Sequence, residues 1–469
     1  MTKRYEKLLP IITAVLICIV PRLDAETYTL EQCVKTALKN NPEIKVSRQQ
    51  LEEAKSKVKE AYGTAMPSVD LEAKYEKVID QYNPITDAMG AEAAPFPNAA
   101  PFLDPNSPDF HPQLAAFAGD FGNMLDFDDI VKDYNANISL IFTQVLYAQG
   151  KVSIALKIAQ SYKRMMNEKH TQLERQVALD VTNTFYNCLY FREAVGIFSA
   201  AMQQAVKHLK QAEQFYKNGM VSEMDYLRAQ LSVEDLKVQR DKMQSDLLLA
   251  KNALLNKMGL PFTRDISLSG ELNSSGPRST SEQAYEIALQ NRREIKQLEE
   301  YRTIQQKLIK IEKSDYFPLI YAGGAVTKLG MSNEWNSLDW YDDQRVFIGL
   351  KMNLFNGFRT RQKIVQARTK VRETEVNLGY LRKSIQLQLE SELNKLAEAE
   401  KRLAIRKRMV HLAERNQKMV SKAYAIGKST QLEVEDAELK TRNARLEHKK
   451  ALLDYNLAGN ALRMAMGKF

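Results

Sequence analysis

The sequence predicts a mainly α-helical chain that also contributes strands to a transmembrane β-barrel, built from two copies of one strand–strand–long-helix half. Three observations predict this fold class. The chain repeats itself internally, four segments alternate apolar and polar residues as strands do, and two stretches of roughly 65 to 70 residues contain nothing that interrupts a helix.

The internal duplication appears as two constant offsets in the residue numbering. The first helical segment recurs 251 positions later, and from the second strand onward the offset is 208, so that Gly259 corresponds to Gly467. The difference of 43 residues is an insertion within the first half. We therefore expect a first structural repeat at 26–270 and a second at 271–469.

Residues 1–25 predict a secretory signal peptide. Three basic residues precede an apolar stretch at 8–20, which is too short to span a membrane permanently, and a polar run follows that ends at Ala25. Cys18 follows bulky apolar residues, whereas lipid attachment favours a small residue before the cysteine. We expect cleavage after Ala25 and no lipid anchor.

Composition excludes several classes of protein. After residue 25 no run of 18 apolar residues remains, which excludes membrane insertion through a helix. The two remaining cysteines, Cys33 and Cys188, are too few for a disulfide scaffold. The formal net charge is +9, but Lys and Arg are interspersed with Glu along helical stretches, which indicates solvated helix faces rather than nucleic-acid binding.

The strands are predicted from period-two alternation, as where Val69 and Leu71 flank Asp70. The predicted strands lie at about 67–80, 134–147, 318–330 and 344–355. Four strands cannot close a barrel, because the smallest stable barrels need about eight. The rest of each half is helical, so we expect several chains to contribute strands to one barrel.

Each half ends in a predicted helical hairpin, at 148–258 and at 357–466. The first helix of each hairpin would be about 100 Å long at 1.5 Å per residue. Apolar residues recur every seven positions, at Val181, Cys188, Val195 and Met202 and again at Leu389, Leu396, Leu403 and Val410. This spacing is that of a coiled-coil seam, so Cys188 is predicted to be a core residue rather than a reactive thiol.

Two matching segments, YKNGMVSEMD and YAIGKSTQLE, end the long helices. Gly219 and Gly427 suit a helix C-cap with positive φ, and Ser222 and Thr430 suit the N-cap of the helix that follows. Antiparallel helical hairpins with tight turns are therefore expected in both halves.

The inserted segment is the loop between the first two strands, residues 81–133. It holds seven of the fourteen prolines and a local net charge of −8. Two interpretations stay open for this loop: a solvated connection, or an acidic lid or cell-surface contact element.

No catalytic constellation is present in the sequence. The five histidines lack zinc-ligand spacing. The run from Gly427 to Thr430 imitates the end of a phosphate-binding loop, but Lys422 stands where that motif needs glycine. We expect no enzyme activity, no cofactor and no metal.

These features, taken in order in both halves, resemble the TolC-like outer-membrane factors, which are also called outer membrane efflux proteins. The most specific local matches, besides the two turns, are Leu354, Phe355, Asn356, Gly357 and Arg359, with a looser Leu146, Tyr147, Gly150 and Lys151. The resemblance covers essentially the whole chain after the signal peptide.

The resemblance implies an outer-membrane exit duct of a tripartite efflux pump or a type I secretion system. Such a duct is a passive homotrimeric channel that shares a 12-stranded barrel in the lipid and a long α-helical barrel across the periplasm. Its partners would be a periplasmic adaptor and an inner-membrane transporter. The resemblance assigns adaptor docking to the periplasmic turns, at Tyr216, Gly219, Ser222, Asp225, Tyr424, Gly427 and Thr430.

The resemblance also assigns the closed aperture of the channel to acidic residues just beyond the second turn, here Glu433 and Asp436. Thr430 and Glu433 equally form a capping-box pattern, so Glu433 has two interpretations. The alternative function is a periplasmic coiled-coil adaptor without channel activity. The amphipathic strands argue against it, because an adaptor needs no lipid-facing wall.

Overall fold

The computed structural model describes residues 26–79, 105–108, 112–114, 116, 132–273, 279–426 and 428–469. The predicted signal peptide with Cys18, most of the 81–133 loop and Gly427 lie outside the described residues. The contacts divide the chain into two compact units. We name them the helical unit, up to 54 with 162–302 and 373–469, and the strand unit, 55–161 with 303–372.

The first half contains β1 (Glu26–Tyr28), α1 (Leu30–Asn40), α2 (Pro42–Gly63), β2 (Ser68–Lys77), β3 (Tyr134–Tyr147), α3 (Lys151–Lys217), α4 (Glu223–Met258) and β4 (Ile266–Leu268). The second half contains α5 (Ser281–Asn291), α6 (Arg293–Ser314), β5 (Leu319–Ser332), β6 (Asp339–Lys351), α7 (Arg359–Ala425) and α8 (Gln431–Ala465). The long helices α3 and α7 have 67 residues each. Among the described residues, no helix is both long and apolar enough to cross a membrane.

The strand unit is built on one antiparallel sheet with the order β2-β3-β5-β6. Leu71 pairs with Leu140, and Leu140 pairs in turn with Val326. A register shift between Val145 and Tyr147 marks a bulge at the end of β3. Strands β2 and β6 are the two edges of this sheet.

The last strand differs from its predicted range of about 344–355. β6 begins at Asp339 because β5 extends to Ser332 and offers it a partner, so the acidic stretch pairs in spite of its polarity. β6 ends at Lys351, which pairs with the first residue of β5, Leu319. Residues beyond Lys351 continue the alternation of apolar and polar side chains, but β5 has no residue left to pair with them. A strand ends where its hydrogen-bonding partners end, even if the alternation continues.

The helical unit contains two equivalent hydrophobic cores. One core is formed by Ala37, Ile44, Val181, Cys188, Leu254 and Met258, among others. The other contains their repeat counterparts Ala288, Ile295, Leu389, Leu396, Leu462 and Met466. Cys188 is fully buried, and burial raises the pKa of its thiol to about 12, so the thiol stays protonated at neutral pH.

Both repeats close their cores with glycine in the left-handed conformation. Gly259 has φ +67 and Gly467 has φ +70. A Cβ atom on Gly259 would lie 2.6 Å from the Asn40 carbonyl oxygen, and one on Gly467 would lie 2.9 Å from the carbonyl carbon of Asn291. Equivalent glycines therefore pack against equivalent ends of α1 and α5.

We expect Gly259→Ala to destabilise the protein much more than Gly219→Ala. Both glycines have positive φ, which costs an alanine about 1–2 kcal/mol, but only Gly259 would place its new methyl group against backbone. A total loss of roughly 3 kcal/mol or more is expected for Gly259→Ala. Urea unfolding in detergent, followed by circular dichroism, measures the difference. Equal losses for the two variants would contradict this account of the packing.

Candidate functional site

One face of the four-stranded sheet is apolar. Antiparallel partners share a face, so the register places Val69 beside Phe142 and Leu71 beside Leu140. The exposed apolar residues on this face are Val69, Leu71, Tyr75, Ile138, Leu140, Phe142, Val326, Trp340, Val346, Ile348 and Leu350, and the Lys328–Asp342 ion pair (3.1 Å) lies toward one end of the same face. Leu71 is 72% exposed and Val346 is 92% exposed, so this face lacks a covering layer within the described chain.

The opposite face is polar and charged. Its members include Asp70, Glu72, Lys74, Glu76, Asn137, Ser139, Thr143, Thr327, Asp343 and Arg345. The Ser139 and Thr327 hydroxyls lie 3.0 Å apart across two strands, and Arg345 pairs with Asp343 at 2.6 Å. A sheet with one apolar and one charged face fits a boundary between lipid and water.

The first turn follows α3 and is closed by backbone hydrogen bonds. Gly219 has φ +69, and its N–H donates to the Tyr216 carbonyl (2.9 Å). Ser222 is the N-cap of α4 and accepts from the Asp225 N–H (3.2 Å), while its hydroxyl donates to the Asp225 carboxylate (2.7 Å). The Tyr216 ring stacks on Tyr226 at 5.6 Å, which fixes the two helices at the turn.

The second turn joins α7 to α8 and has the same plan with a complete capping box. The Lys428 N–H donates to the Ala423 carbonyl (2.8 Å) beside the exposed Tyr424. Thr430 is the N-cap of α8: its hydroxyl accepts from the Glu433 N–H (3.3 Å), and its own N–H donates to the Glu433 carboxylate (2.8 Å). The capping interpretation of Glu433 therefore has direct geometric support.

Glu433 is nevertheless an exposed anion at the start of α8. The Ser429 hydroxyl donates to its carboxylate (2.6 Å), and this bond, together with the Thr430 backbone, lowers the pKa of Glu433. Glu433 keeps its negative charge while it caps the helix, because a helix N-terminus favours the ionised form of a carboxylate. One carboxylate can serve both as cap and as part of an acidic aperture.

Asp436 lies one turn further along α8, on an exposed surface. Lys440, four residues on, donates to its carboxylate at 2.5 Å. The (i, i+4) spacing of Asp436 and Lys440 on a helix is a signal for this ion pair that is already visible in the sequence. Lys440 partly offsets the charge of Asp436, so the local field at this site is weaker than two free carboxylates would give.

A polar pocket of about 620 Å³ lies deeper in the helical unit, between α3, α4, α7 and α8. Arg442 extends into it over the Phe198 ring, 5.8 Å from the ring centre. Beside it, the His208 Nε2 atom lies 3.2 Å from Glu438 Oε1, which joins α3 to α8. The first and second hairpins are thus connected through charged groups as well as through the apolar seam.

We expect the His208–Glu438 contact to stabilise the protein more at low pH. The hydrogen bond to Glu438 raises the pKa of His208 in the folded protein. The contact therefore contributes its full stability below the pKa of histidine in the unfolded chain, about 6.5. This stability is lost as pH rises through the higher pKa of the folded protein. His208→Gln should therefore lose more stability at about pH 6 than at about pH 8.5, by up to about 1 kcal/mol.

His448→Gln is the control for this prediction. Burial, Lys449 and Lys407 lower the pKa of His448, so the folded protein disfavours its protonation and the pH trend should reverse. Urea unfolding of both variants and the parent protein at the two pH values measures the trends. Parallel trends for the two histidines would contradict the assignment.

Within the described part of the chain, no group of three or more His, Cys, Asp or Glu side chains could hold a metal ion. The geometry offers instead a sheet with an uncovered apolar face, two capped turns, and an acidic start to α8. A sheet with one uncovered apolar face is typical of the class of protein that meets lipid.

The fold is that of outer-membrane channels. The chain is similar to CusC, which forms a transmembrane channel (14% identity, TM-score 0.70, covering 94% of this chain and 92% of CusC). It is similar to the CmeC outer membrane channel of Campylobacter jejuni (15%, TM-score 0.69, covering 94% and 85%). It is also similar to the outer membrane protein VceC of Vibrio cholerae (16%, TM-score 0.68, covering 93% and 96%).

The sequence profile of the outer membrane efflux protein family matches residues 109–260 and 284–468. The chain belongs to this family, so it is an efflux exit duct of the outer membrane that spans the periplasm. The family is one of channels rather than of enzymes, and its members work with adaptors and inner-membrane pumps. A search of curated protein sequences found no match.

Proposed function

We propose that three copies of this chain form one passive channel. The observation that carries the proposal is the four-stranded sheet, which has an uncovered apolar face and two edge strands, β2 and β6. Edge strands expose unpaired backbone groups, which lipid cannot satisfy. Joining β6 of one copy to β2 of the next in a closed ring of three removes every edge and gives twelve strands, enough for a barrel.

We propose that the two turns form the periplasmic end of the channel and dock an adaptor. Apolar side chains are exposed around both turns, among them Met220 at 69% and Ile426 at 67%. The docking residues are those of the two turn motifs: Tyr216, Gly219, Ser222 and Asp225 in the first, and Tyr424, Gly427 and Thr430 in the second. Exposed apolar groups on helical hairpins suit a helical partner that packs ridges into grooves.

In this arrangement Glu433 and Asp436 of three copies place six carboxylates around the closed aperture. A ring of carboxylates favours cations and repels anions. Conduction through the duct is passive, and an inner-membrane transporter, reached through the adaptor, supplies the energy. The inner-membrane system that delivers cargo to the channel is either an efflux pump or a type I secretion system.

Cysteine cross-linking with channel recording tests the proposal. Leu71→Cys is combined in turn with Val346→Cys, Ile348→Cys and Leu350→Cys, and the membranes are oxidised. We expect one or more pairs to give covalent trimers that conduct in planar bilayers, while each single-cysteine variant stays monomeric on denaturing gels. Dimers as the largest product, monomers for every pair, or trimers without conductance would each overturn the proposal. The native cysteines are buried and provide an internal background control.

A further inference from the structure

A basic, aromatic pocket lies in the strand unit, where α6 ends and α7 begins. It has a volume of about 550 Å³ and is lined by Lys313, Tyr316, Phe317, Arg361, Ile364, Val365 and Arg368. Three of these seven residues are cations and none is a carboxylate. Two acids are adjacent in the sequence, and both are paired with lysines outside the lining: Glu312 with Lys363 (3.6 Å) and Asp315 with Lys151 (2.8 Å).

The pocket lies directly beyond the end of the sheet. Phe317 is two residues before β5, and β5 begins at Leu319 opposite Lys351, the last residue of β6. The apolar face of the sheet therefore stops within a few residues of the three cations. Tyr316 and Phe317 are each about half exposed, at 49% and 48%.

The face of the sheet on which the pocket lies can be inferred from the strand pairing and from the chirality of L-amino acids. The Phe142 carbonyl oxygen lies against β5 beside Gly323, so even-numbered residues of β5 bond to β3 and odd-numbered ones to β6. Even-numbered residues of β5, such as Val326, carry the apolar face. Consider the sheet viewed from its apolar face, with β5 running upward. An L-residue whose side chain points at the viewer then has its own N–H and C=O groups on the right. In this view β3 therefore lies to the right of β5, and β6 lies to its left.

Helix α6 leads into β5 and meets α3, the helix after β3, through Lys307, whose Nζ donates to Ser161 Oγ (2.7 Å). On a right-handed helix running upward, the Lys310 and Lys313 side chains are turned from Lys307 toward that viewer by about 60° and 120°. These two lysine side chains therefore lie on the apolar side of the sheet, and not on its charged side.

We infer that this pocket binds the phosphate headgroup of an anionic glycerophospholipid in the periplasmic leaflet. The inference rests on the proposed embedding of the sheet in lipid. Arg361, Arg368 and Lys313 supply donors for the phosphate oxygens, because guanidinium groups match phosphate geometry. Tyr316 and Phe317 lie at headgroup depth, where aromatic side chains are favoured, and the acyl chains continue along the apolar strand face.

Native mass spectrometry of the full-length protein in detergent tests the inference, with phosphatidylglycerol as the probe. Arg361→Gln with Arg368→Gln should weaken phosphatidylglycerol binding roughly 10- to 30-fold, since each basic residue near a lipid surface contributes a factor of about five. Arg361→Lys with Arg368→Lys keeps the charge and should retain most of the affinity. Phosphatidylcholine of the same chain length should bind more weakly to the parent protein.

The matched control is Arg408→Gln with Arg415→Gln, two exposed arginines on the same helix with the same seven-residue spacing. It should leave phosphatidylglycerol binding unchanged. Equal loss in the control, no loss in the Arg361 and Arg368 variant, or inorganic phosphate binding as tightly as the lipid would each overturn the inference. Failure of cross-linking and conductance with this lipid pattern intact would instead overturn the proposed trimeric channel.

Discussion

Replacing Glu433 by Gln together with Asp436 by Asn should remove the preference of the channel for cations. In a trimer the double substitution takes six negative charges from one narrow opening, where low-dielectric walls concentrate their field. Block by divalent cations applied from the periplasmic side should weaken on the order of tenfold or more. Planar-bilayer recordings of reversal potential and divalent block measure both effects.

The choice of Gln at position 433 separates charge from folding. Two further capping boxes in the described part of the chain already use glutamine at the same helix position, Gln32 after Thr29 and Gln283 after Thr280. Glu433→Gln should therefore keep the α8 cap while it removes the charge. Thr430→Ala is the converse variant: it loses about 1 kcal/mol of capping and keeps both carboxylates.

Asp225→Asn is the matched control at the first turn. Asp225 occupies the position of Glu433 in the first repeat, but the place of Asp436 is taken there by Arg228, so no double acid is formed. Asp225→Asn should leave divalent block unchanged. If Thr430→Ala or Asp225→Asn reproduced the loss seen with the double substitution, the aperture assignment would be wrong and the acids would matter only for the turns.

The pH dependence of the block follows from the lowered pKa of Glu433. A depressed carboxyl pKa means that the charge is retained as pH falls below the ordinary value of 4.5 and is lost only below the folded pKa. In Asp436→Asn, where Glu433 alone remains, block should therefore persist to lower pH than a free glutamate would allow. Lys440→Gln should act in the opposite direction to the neutralising variants, because it frees the charge of Asp436.

Repetition in the sequence was sufficient to predict most of the helical architecture. Alignment with Leu396 predicted that Cys188 is a core residue, and its full burial confirms this. Predicted caps at Ser222 and Thr430 are confirmed by their hydrogen bonds. These features depend on local spacing, which a sequence displays directly.

The features that escaped prediction depend on partners distant in the chain. β1 and β4 pair in parallel over three residues, Glu26–Tyr28 with Ile266–Leu268, and runs so short carry no alternation to detect. Arg192 fixes this segment by donating to the carbonyl oxygens of Leu268 and Gly270, at 2.6 Å each. The start of β6 at Asp339 likewise depended on the length of β5.

Leu71→Arg should prevent stable insertion into the outer membrane, whereas Glu72→Arg should be tolerated. The two residues are neighbours near the middle of β2, and both are exposed in the single chain, but they lie on opposite faces of the sheet. An arginine facing lipid at the midplane costs about 2–4 kcal/mol, and in a trimer this cost occurs three times. Outer-membrane fractionation and urea unfolding in lipid vesicles measure the difference.

Glu72→Arg can also be tested by ion selectivity, because it should change the charge that the channel presents to ions and leave assembly unchanged. If the charged face lines the water-filled interior, three arginines in place of three glutamates should shift selectivity toward anions while insertion stays normal. Equal insertion of the two variants would mean that the apolar face does not meet lipid. The same backbone register and the same new side chain are compared, so the face of the sheet is the main difference between the two results.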